Sequence, residues 1–168
     1  MLKATNGAGH DGSALHLLHR AGQCADELFA NKIGKSDLTP RQYAVLQTLA
    51  KFEDISQTGL VDATGIDRST LADIVRRLVE RGMLLRRRTK EDARMYAVRL
   101  SATGRSVLEA AAPGAVATNE ALLATLPSTQ RTQFVASLRR IVETMGPISS
   151  ARVTPKAVAR PVGTRKRG

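Results

Sequence analysis

A mainly α fold with a small β component (α+β) is predicted from three features of the sequence. Between Asp67 and Leu100 an amphipathic helical stretch is followed by two short runs of alternating polarity around a charged tip. Apolar residues recur at helical spacing both before and after this unit. Positive charge is concentrated in the unit itself and in the last segment of the chain.

The central unit is the most informative stretch. Asp67 is placed to cap a helix, because its carboxylate can accept a free amide hydrogen of the first turn. Leu71, Ile74, Val75 and Leu78 form an apolar stripe one helix face wide. Gly82 stands just past it, where a left-handed C-terminal residue is needed. The opposite face carries Ser69, Thr70, Asp73, Arg76 and Arg77. Compact hydrogen-bonding groups at the leading end suit base edges in the DNA major groove, and guanidinium groups behind them suit phosphates. Met83, Leu84 and Leu85 then lead into Arg86, Arg87 and Arg88, Thr89 to Arg94 makes a charged tip, and Met95, Ala97 and Arg99 alternate against Tyr96, Val98 and Leu100. A basic hairpin directly after a groove-reading helix is the wing of a winged helix-turn-helix. The residues expected to face DNA are Arg68, Ser69, Thr70, Asp73, Arg76, Arg77, Arg86, Arg88, Lys90, Asp92 and Arg94.

Charge distribution supports a polyanionic partner. The net charge of the 168 residues is +11. Residues 68–105 hold 11 Lys/Arg against 4 Asp/Glu, and residues 147–168 hold 6 Lys/Arg and no acid. The rest of the chain is near neutral or slightly acidic, as expected if double-stranded DNA is bound by the winged unit and the tail. A membrane surface is disfavoured by an aromatic fraction of 3% and the lack of a basic amphipathic anchor. The single cysteine, Cys24, excludes an internal disulfide and a multi-cysteine metal site. No apolar run is long enough to span a bilayer and no signal-peptide pattern precedes Gly12, so a cytoplasmic, nucleoid-associated protein is expected.

Taken in order, residues 1–12 read as a disordered N-terminus. Ser13 to Ile33 reads as a first helix, with Leu18, Ala21, Ala25, Leu28 and Phe29 on one face and Leu15, Leu17 and Cys24 widening it. So wide an apolar surface suggests packing against a second subunit as well as its own domain. His16 and His19 are too few for a metal site and suit a pocket or packing role. Cys24 is expected to be a buried, inert thiol. After a turn at Gly34 to Asp37, Thr39 caps a second helix with Pro40 at its first position, and Tyr43, Val45, Leu46, Leu49 and Phe52 supply its apolar face. Ile55 and Ser56 leave room for one short strand, and Gln57 to Thr64 makes a short helix ended by Gly65. Beyond the wing a long helix runs from Arg105 to Leu126, with Pro113 and Gly114 expected to interrupt it. A last helix runs from Thr129 to Met145, with Phe134, Leu138, Ile141, Val142 and Met145 on its core face and an end at Gly146 and Pro147. The domain expected is therefore 13–146, with a DNA-binding part at 38–100, dimerisation helices at 13–34 and 105–146, and a disordered basic tail at 147–168.

This order of elements resembles the MarR (multiple antibiotic resistance regulator) family. The resemblance extends to Leu38-Thr39-Pro40-Arg41-Gln42-Tyr43 opening the second helix, to Leu78 through Leu84 leading into the wing, to Asp92-Ala93-Arg94 at its tip, and to Leu100-Ser101-Ala102-Thr103-Gly104 after it. It implies a homodimer in which the first and last two helices interlock and two winged units straddle a pseudo-palindromic operator. It implies groove contacts from Ser69, Thr70, Asp73 and Arg76, a minor-groove contact from Arg94, an orienting role for Asp92, and phosphate contacts from Arg86 and Arg88. It also implies a small effector, often a phenolic or aromatic acid, between the dimerisation and DNA-binding parts. The opening of the second helix resembles regulators of aromatic-compound catabolism, some of which bind aryl-CoA thioesters. His16, His19, Arg20, Arg41 and Tyr43 are the candidate effector residues, the cations suiting a carboxylate or a CoA phosphate.

Two functions follow. One is a ligand-responsive transcriptional repressor, and the other is a constitutive DNA-binding, nucleoid-organising protein with a histone-like tail. No Ser/His/Asp order, paired carboxylates, Gly-rich phosphate loop or metal cluster supports an enzyme, so no catalytic residue, metal or cofactor is assigned.

Overall fold

The computed structural model describes residues 12–52, 55–88 and 96–151. The expectations for Met1 to Asp11, for the wing tip with Lys90, Asp92 and Arg94, and for Arg152 to Gly168 lie outside the described residues. The elements run α1 (Ala14–Lys32), α2 (Pro40–Lys51), β1 (Ile55–Ser56), α3 (Gln57–Thr64), α4 (Arg68–Glu80), β2 (Leu84–Arg88), β3 (Tyr96–Leu100), α5 (Ala102–Ala124) and α6 (Ser128–Ala151). A short 3-10 turn at Gly34–Ser36 joins α1 to α2. Among the described residues, no helix is long and apolar enough to cross a membrane.

The helices start where side-chain oxygens can satisfy their free amides. The Ser13 hydroxyl accepts from the His16 amide, Ser56 from Gly59, Asp67 from Thr70 and Ser101 from Gly104. Thr39 and Gln42 make a reciprocal capping box ahead of α2, with Pro40 at the first helical position. Helix α4 ends in a Schellman turn: the Met83 amide donates to the Leu78 carbonyl, and the amide of Gly82, at φ 69°, donates to Val79.

The core gathers where α2, α3 and α4 meet the sheet. Val45, Leu46 and Leu49 from α2, Leu60 from α3, the Leu71, Ile74, Val75 and Leu78 stripe of α4, Leu84 of β2 and Val98 of β3 are all buried. The strand order is β1-β3-β2, all antiparallel, with Leu84 opposite Leu100 and Ile55 opposite Val98. Because β3 is the middle strand, Ala97 is covered between Ser56 and Arg87 and is buried, although it lies on the outward face of the alternation. Helix α1 packs against α5, bringing Phe29, Ile33 and Ala111 into the same cluster.

The wing and α5 are joined at one tight point. The Met83 carbonyl accepts the Ser101 amide at 3.0 Å. The Ser101 hydroxyl donates to the Gly82 carbonyl at 2.6 Å and accepts the Gly104 amide at 2.9 Å. A methyl group on Gly104 would overlap the Met83 carbonyl oxygen. The Leu-Ser-x-x-Gly run after the wing is thus a cap and a backbone-to-backbone contact in one.

Several expectations are corrected. Pro113 lies inside α5 without ending it. One lost hydrogen bond is tolerated there because packing holds the segment: Ala111 is fully buried, and a Cβ on Gly114 would fall 2.8 Å from the Ile33 Cα. Helix α6 likewise passes Gly146 and Pro147 and ends at Ala151, and Pro147 frees only the carbonyl of exposed Glu143, which solvent can satisfy. The α6 face read as core is not part of this chain's core: Phe134, Ile141, Val142 and Met145 are exposed and Leu138 is half-buried. Helical periodicity reveals an apolar face but not what covers it. Phe52 is exposed because it follows the last turn of α2 in an extended conformation. Cys24, expected to be buried, is exposed on α1, most of whose surface α5 leaves uncovered.

Replacing Gly104 with alanine should lower unfolding stability by about 1–3 kcal/mol, since the methyl forces the wing and α5 apart. Chemical denaturation of the two proteins checks this, and equal stability would mean the joint is loose.

Candidate nucleic-acid interface

Helix α4 presents its polar face to solvent because its other face is fully used by the core. Arg68, Ser69, Arg76 and Arg77 are exposed, and Thr70 and Asp73 are half-buried. From Arg68 to Arg77 the helix advances about 13.5 Å, close to the roughly 12 Å width of the major groove. The N-terminal end is ordered by Asp67, whose carboxylate accepts the Thr70 amide at 2.9 Å and the Ser69 hydroxyl at 2.6 Å. The Ser69 hydroxyl is therefore held toward Asp67, with its lone pairs still free to accept.

The cations behind this end are braced rather than loose. Arg76 bridges Asp73 at 2.6 Å and Glu80 at 2.8 Å, and Arg77 reaches the other Asp73 oxygen at 2.8 Å. The Arg76 guanidinium holds the Asp73 carboxyl below its ordinary range, and Asp73, with Glu80, pushes Arg76 higher still. These pairs are about half exposed, so they contribute little stability. Asp73, read from the sequence as a groove-facing residue, pairs with both arginines.

The strands add cations on two sides. Arg86 is exposed on β2, opposite buried Val98. Arg88 ends β2 and lies opposite Tyr96. Arg87 and Arg99, absent from the sequence-based set, share the outer face of the sheet and are both exposed. The β2–β3 register identifies them, since Arg99 pairs with Leu85 and Arg87 with Ala97. Arg81 was also missed: it caps α4 and its guanidinium reaches back to the α1–α2 turn.

The candidate effector residues fall into two groups within one protomer. His16 is half-buried in the first turn of α1, His19 is exposed, and Arg20 donates to Gln23 at 2.6 Å. Tyr43 is half-buried on α2 with its ring 5.7 Å from Phe29 at 60°, and Arg41 is exposed beside it. Phe29 lies nine residues after Arg20 and thirteen after His16 on the same helix, so the two groups stand about 14–20 Å apart along α1.

Known proteins share this architecture. The MarR family model matches residues 36–95. The transcriptional regulator HosA of Escherichia coli O157:H7 is 33% identical over 108 residues, which are 64% of this chain and 80% of HosA. The crystal structure of a probable transcriptional regulator from Pseudomonas aeruginosa superposes with a TM-score of 0.74 at 34% identity, covering 78% of this chain and 98% of that one. BpsR of Bordetella bronchiseptica, whose structure concerns regulation of its DNA binding by 6-hydroxynicotinic acid, superposes with a TM-score of 0.75 at 29% identity, covering 81% and 97%.

The Asp67 cap gives this interface a pH signature. Its carboxyl is held well below the usual carboxylate range, chiefly by the Ser69 hydroxyl and then by Thr70. A carboxyl whose folded pKa is depressed stabilises the fold fully above its unfolded value of about 3.9 and loses that contribution as pH falls below it. Asp67→Ala should therefore melt below the parent protein at pH 7, with the gap closing as the pH drops below about 4. Melting curves across that range check this, and a pH-independent gap would show that the charge of Asp67 is not what holds the cap.

Proposed function

This chain belongs to the MarR family of transcriptional regulators, and from that membership we propose that it is a sequence-specific repressor released by a small aromatic acid or its CoA thioester. The observation that carries the reading is the polar face of α4, pre-ordered by Asp67 and Asp73 and flanked by the cations of β2. In this reading Ser69, Thr70, Asp73 and Arg76 face the major groove, and Arg68, Arg77, Arg86 and Arg88 serve phosphates. Lys90, Asp92 and Arg94 contact DNA from the wing, with Arg94 in the minor groove. The similarity to BpsR supports an aromatic acid as the effector class. Within one protomer these residues form two separate groups, so the effector would bind where the dimer brings Arg41 and Tyr43 of one protomer near His16, His19 and Arg20 of the other, with cations pairing with its carboxylate.

The active form in this reading is a homodimer on a pseudo-palindromic operator. Support comes from the apolar surface left uncovered on α1 and α6: Leu15 is 68% exposed, Val142 69% and Met145 56%. Patches of this kind mark an interface rather than a free surface. Two half-sites then supply the affinity that one helix cannot.

Selection of binding sites from random DNA should yield a pseudo-palindrome bound saturably in gel-shift titrations. Screening aromatic acids and their CoA thioesters by thermal shift should find a compound that raises the melting temperature and relieves operator binding. At a hundredfold excess over its Kd, the stabilisation would be about 2.7 kcal/mol. Random DNA competing as well as the selected site, with no compound acting, would favour a constitutive DNA-organising protein.

Val142→Asp should convert the dimer to monomer at micromolar concentration in sedimentation velocity, and operator binding should weaken with it. A variant that stays dimeric would place the interface elsewhere.

A further inference from the structure

Arg81 is the C-terminal cap residue of α4, and its side chain crosses to a part of the chain 44 residues earlier. Nη1 donates to the Asp37 carbonyl at 2.9 Å and Nη2 donates to the Ser36 carbonyl at 3.4 Å. The Asp37 carboxylate is farther, at 3.8 Å, so the backbone oxygens carry the contact. The guanidinium is a planar fork, and two neighbouring carbonyls are what such a fork can grip at a fixed angle.

The turn that Arg81 grips is itself immobilised. Ile33 and Leu38, on either side of it, are 5% and 4% exposed. Gly114 of α5 sits so close to the end of α1 that a side chain there would overlap the Lys32 carbonyl. Thr39 begins the capping box of α2 immediately after it. Asp37 has φ 46°, the one non-glycine residue with positive φ among the described residues. Such a conformation persists only where the surroundings hold it, and it turns the Asp37 carbonyl toward α4.

Apart from the Ser101 hydroxyl on the Gly82 carbonyl, which ties the chain just past α4 to α5, the remaining attachment of α4 is apolar. Leu71, Ile74, Val75 and Leu78 pack through contacts that are not directional, so they resist withdrawal of the helix better than rotation or sliding. The carbonyl fork is directional. We propose that Arg81 is a positioning residue for DNA recognition: it references the end of the recognition helix to the α1–α2 turn and α5, and so sets the angle at which Ser69 to Arg77 meet the groove. The proposal rests on α4 being the groove-reading helix, as in the proposed function.

Two other roles for Arg81 make different predictions. A phosphate contact would lower affinity for all DNA alike and reduce the salt slope by about 0.9 per contact. A purely structural role would lower the melting temperature and leave operator preference intact. A positioning role weakens operator binding while leaving random DNA binding and its salt slope unchanged.

The test uses the full chain with Arg81→Met, which keeps the stem and removes the donors, and Arg81→Lys, which keeps the charge but not the fork. Affinities for the selected operator and for random DNA are measured by fluorescence anisotropy over a salt series, with melting temperatures alongside. Both variants should bind the operator about tenfold or more weakly, as for a mismatched site, with random-DNA affinity within about twofold of the parent. If Arg81→Met fails to fold, the Arg81→Lys ratio decides. Asp37→Gly, which keeps both carbonyls, should retain discrimination. The proposal is overturned if Arg81→Met binds the operator as the parent does, if Arg81→Lys restores full binding, if both DNA types weaken together, or if Asp37→Gly loses as much as Arg81→Met. A parent protein that does not prefer its selected operator would instead overturn the proposed function, and the positioning role with it.

Discussion

The geometry of the winged unit depends on one backbone contact, between the Met83 carbonyl and the first turn of α5. The chain leaves α4 through β2 and returns through β3, and without a tie at its base this excursion would hang from the core by the strands alone. Ser101 supplies the tie in both directions, donating its hydroxyl to Gly82 and accepting from Gly104. The absence of a side chain at Gly104 lets the two backbones meet. Since Gly82 is also the left-handed residue that ends α4, α4, the wing and α5 share one joint.

The electrostatics of α4 temper its basicity. The winged unit is strongly positive, yet Asp73 and Glu80 lie among its arginines and pair with them. In the free protein the Arg76 and Arg77 guanidiniums each have a low-cost partner at the surface, so random phosphate must displace an existing contact before it gains one there. A correctly spaced set of acceptors in a groove displaces several together. Internal pairing of this kind lowers indiscriminate attraction more than selective attraction, which is how charge on a recognition surface contributes to discrimination as well as affinity.

Local chemistry was the legible part of the sequence. The caps at Thr39 and Asp67 are legible as such, and those found at Ser13, Ser56 and Ser101 follow the same rule, a side chain bonding an amide three residues on within one turn of sequence. The α4 stripe was legible because four apolar residues at helical spacing leave only one face for the core. What failed was anything needing knowledge of distant partners. The apolar face of α6 reads the same whether its cover is this chain or another. Pro113 reads as a breaker unless the packing of Ala111 and Gly114 is known. Arg81 looks like one more cation in a basic stretch, because its acceptors are backbone oxygens 44 and 45 residues away that no side-chain pattern announces. The candidate effector residues stand out only by residue type and carry no local signature that would tie α1 to α2.

Helix α6 has 24 residues, and none of its described side chains is buried. In proteins most helical stability comes from covering an apolar face rather than from the helix's own hydrogen bonds. If a second protomer provides that cover, folding and association are a single equilibrium, and the fraction of ordered chain depends on how much protein is present. Dilution then acts as a denaturant, melting temperature becomes a function of concentration, and a freshly made chain completes its structure only when it meets another. For a DNA-binding regulator, abundance then sets not only how often a site is occupied but also how much of the protein exists in a form able to occupy it.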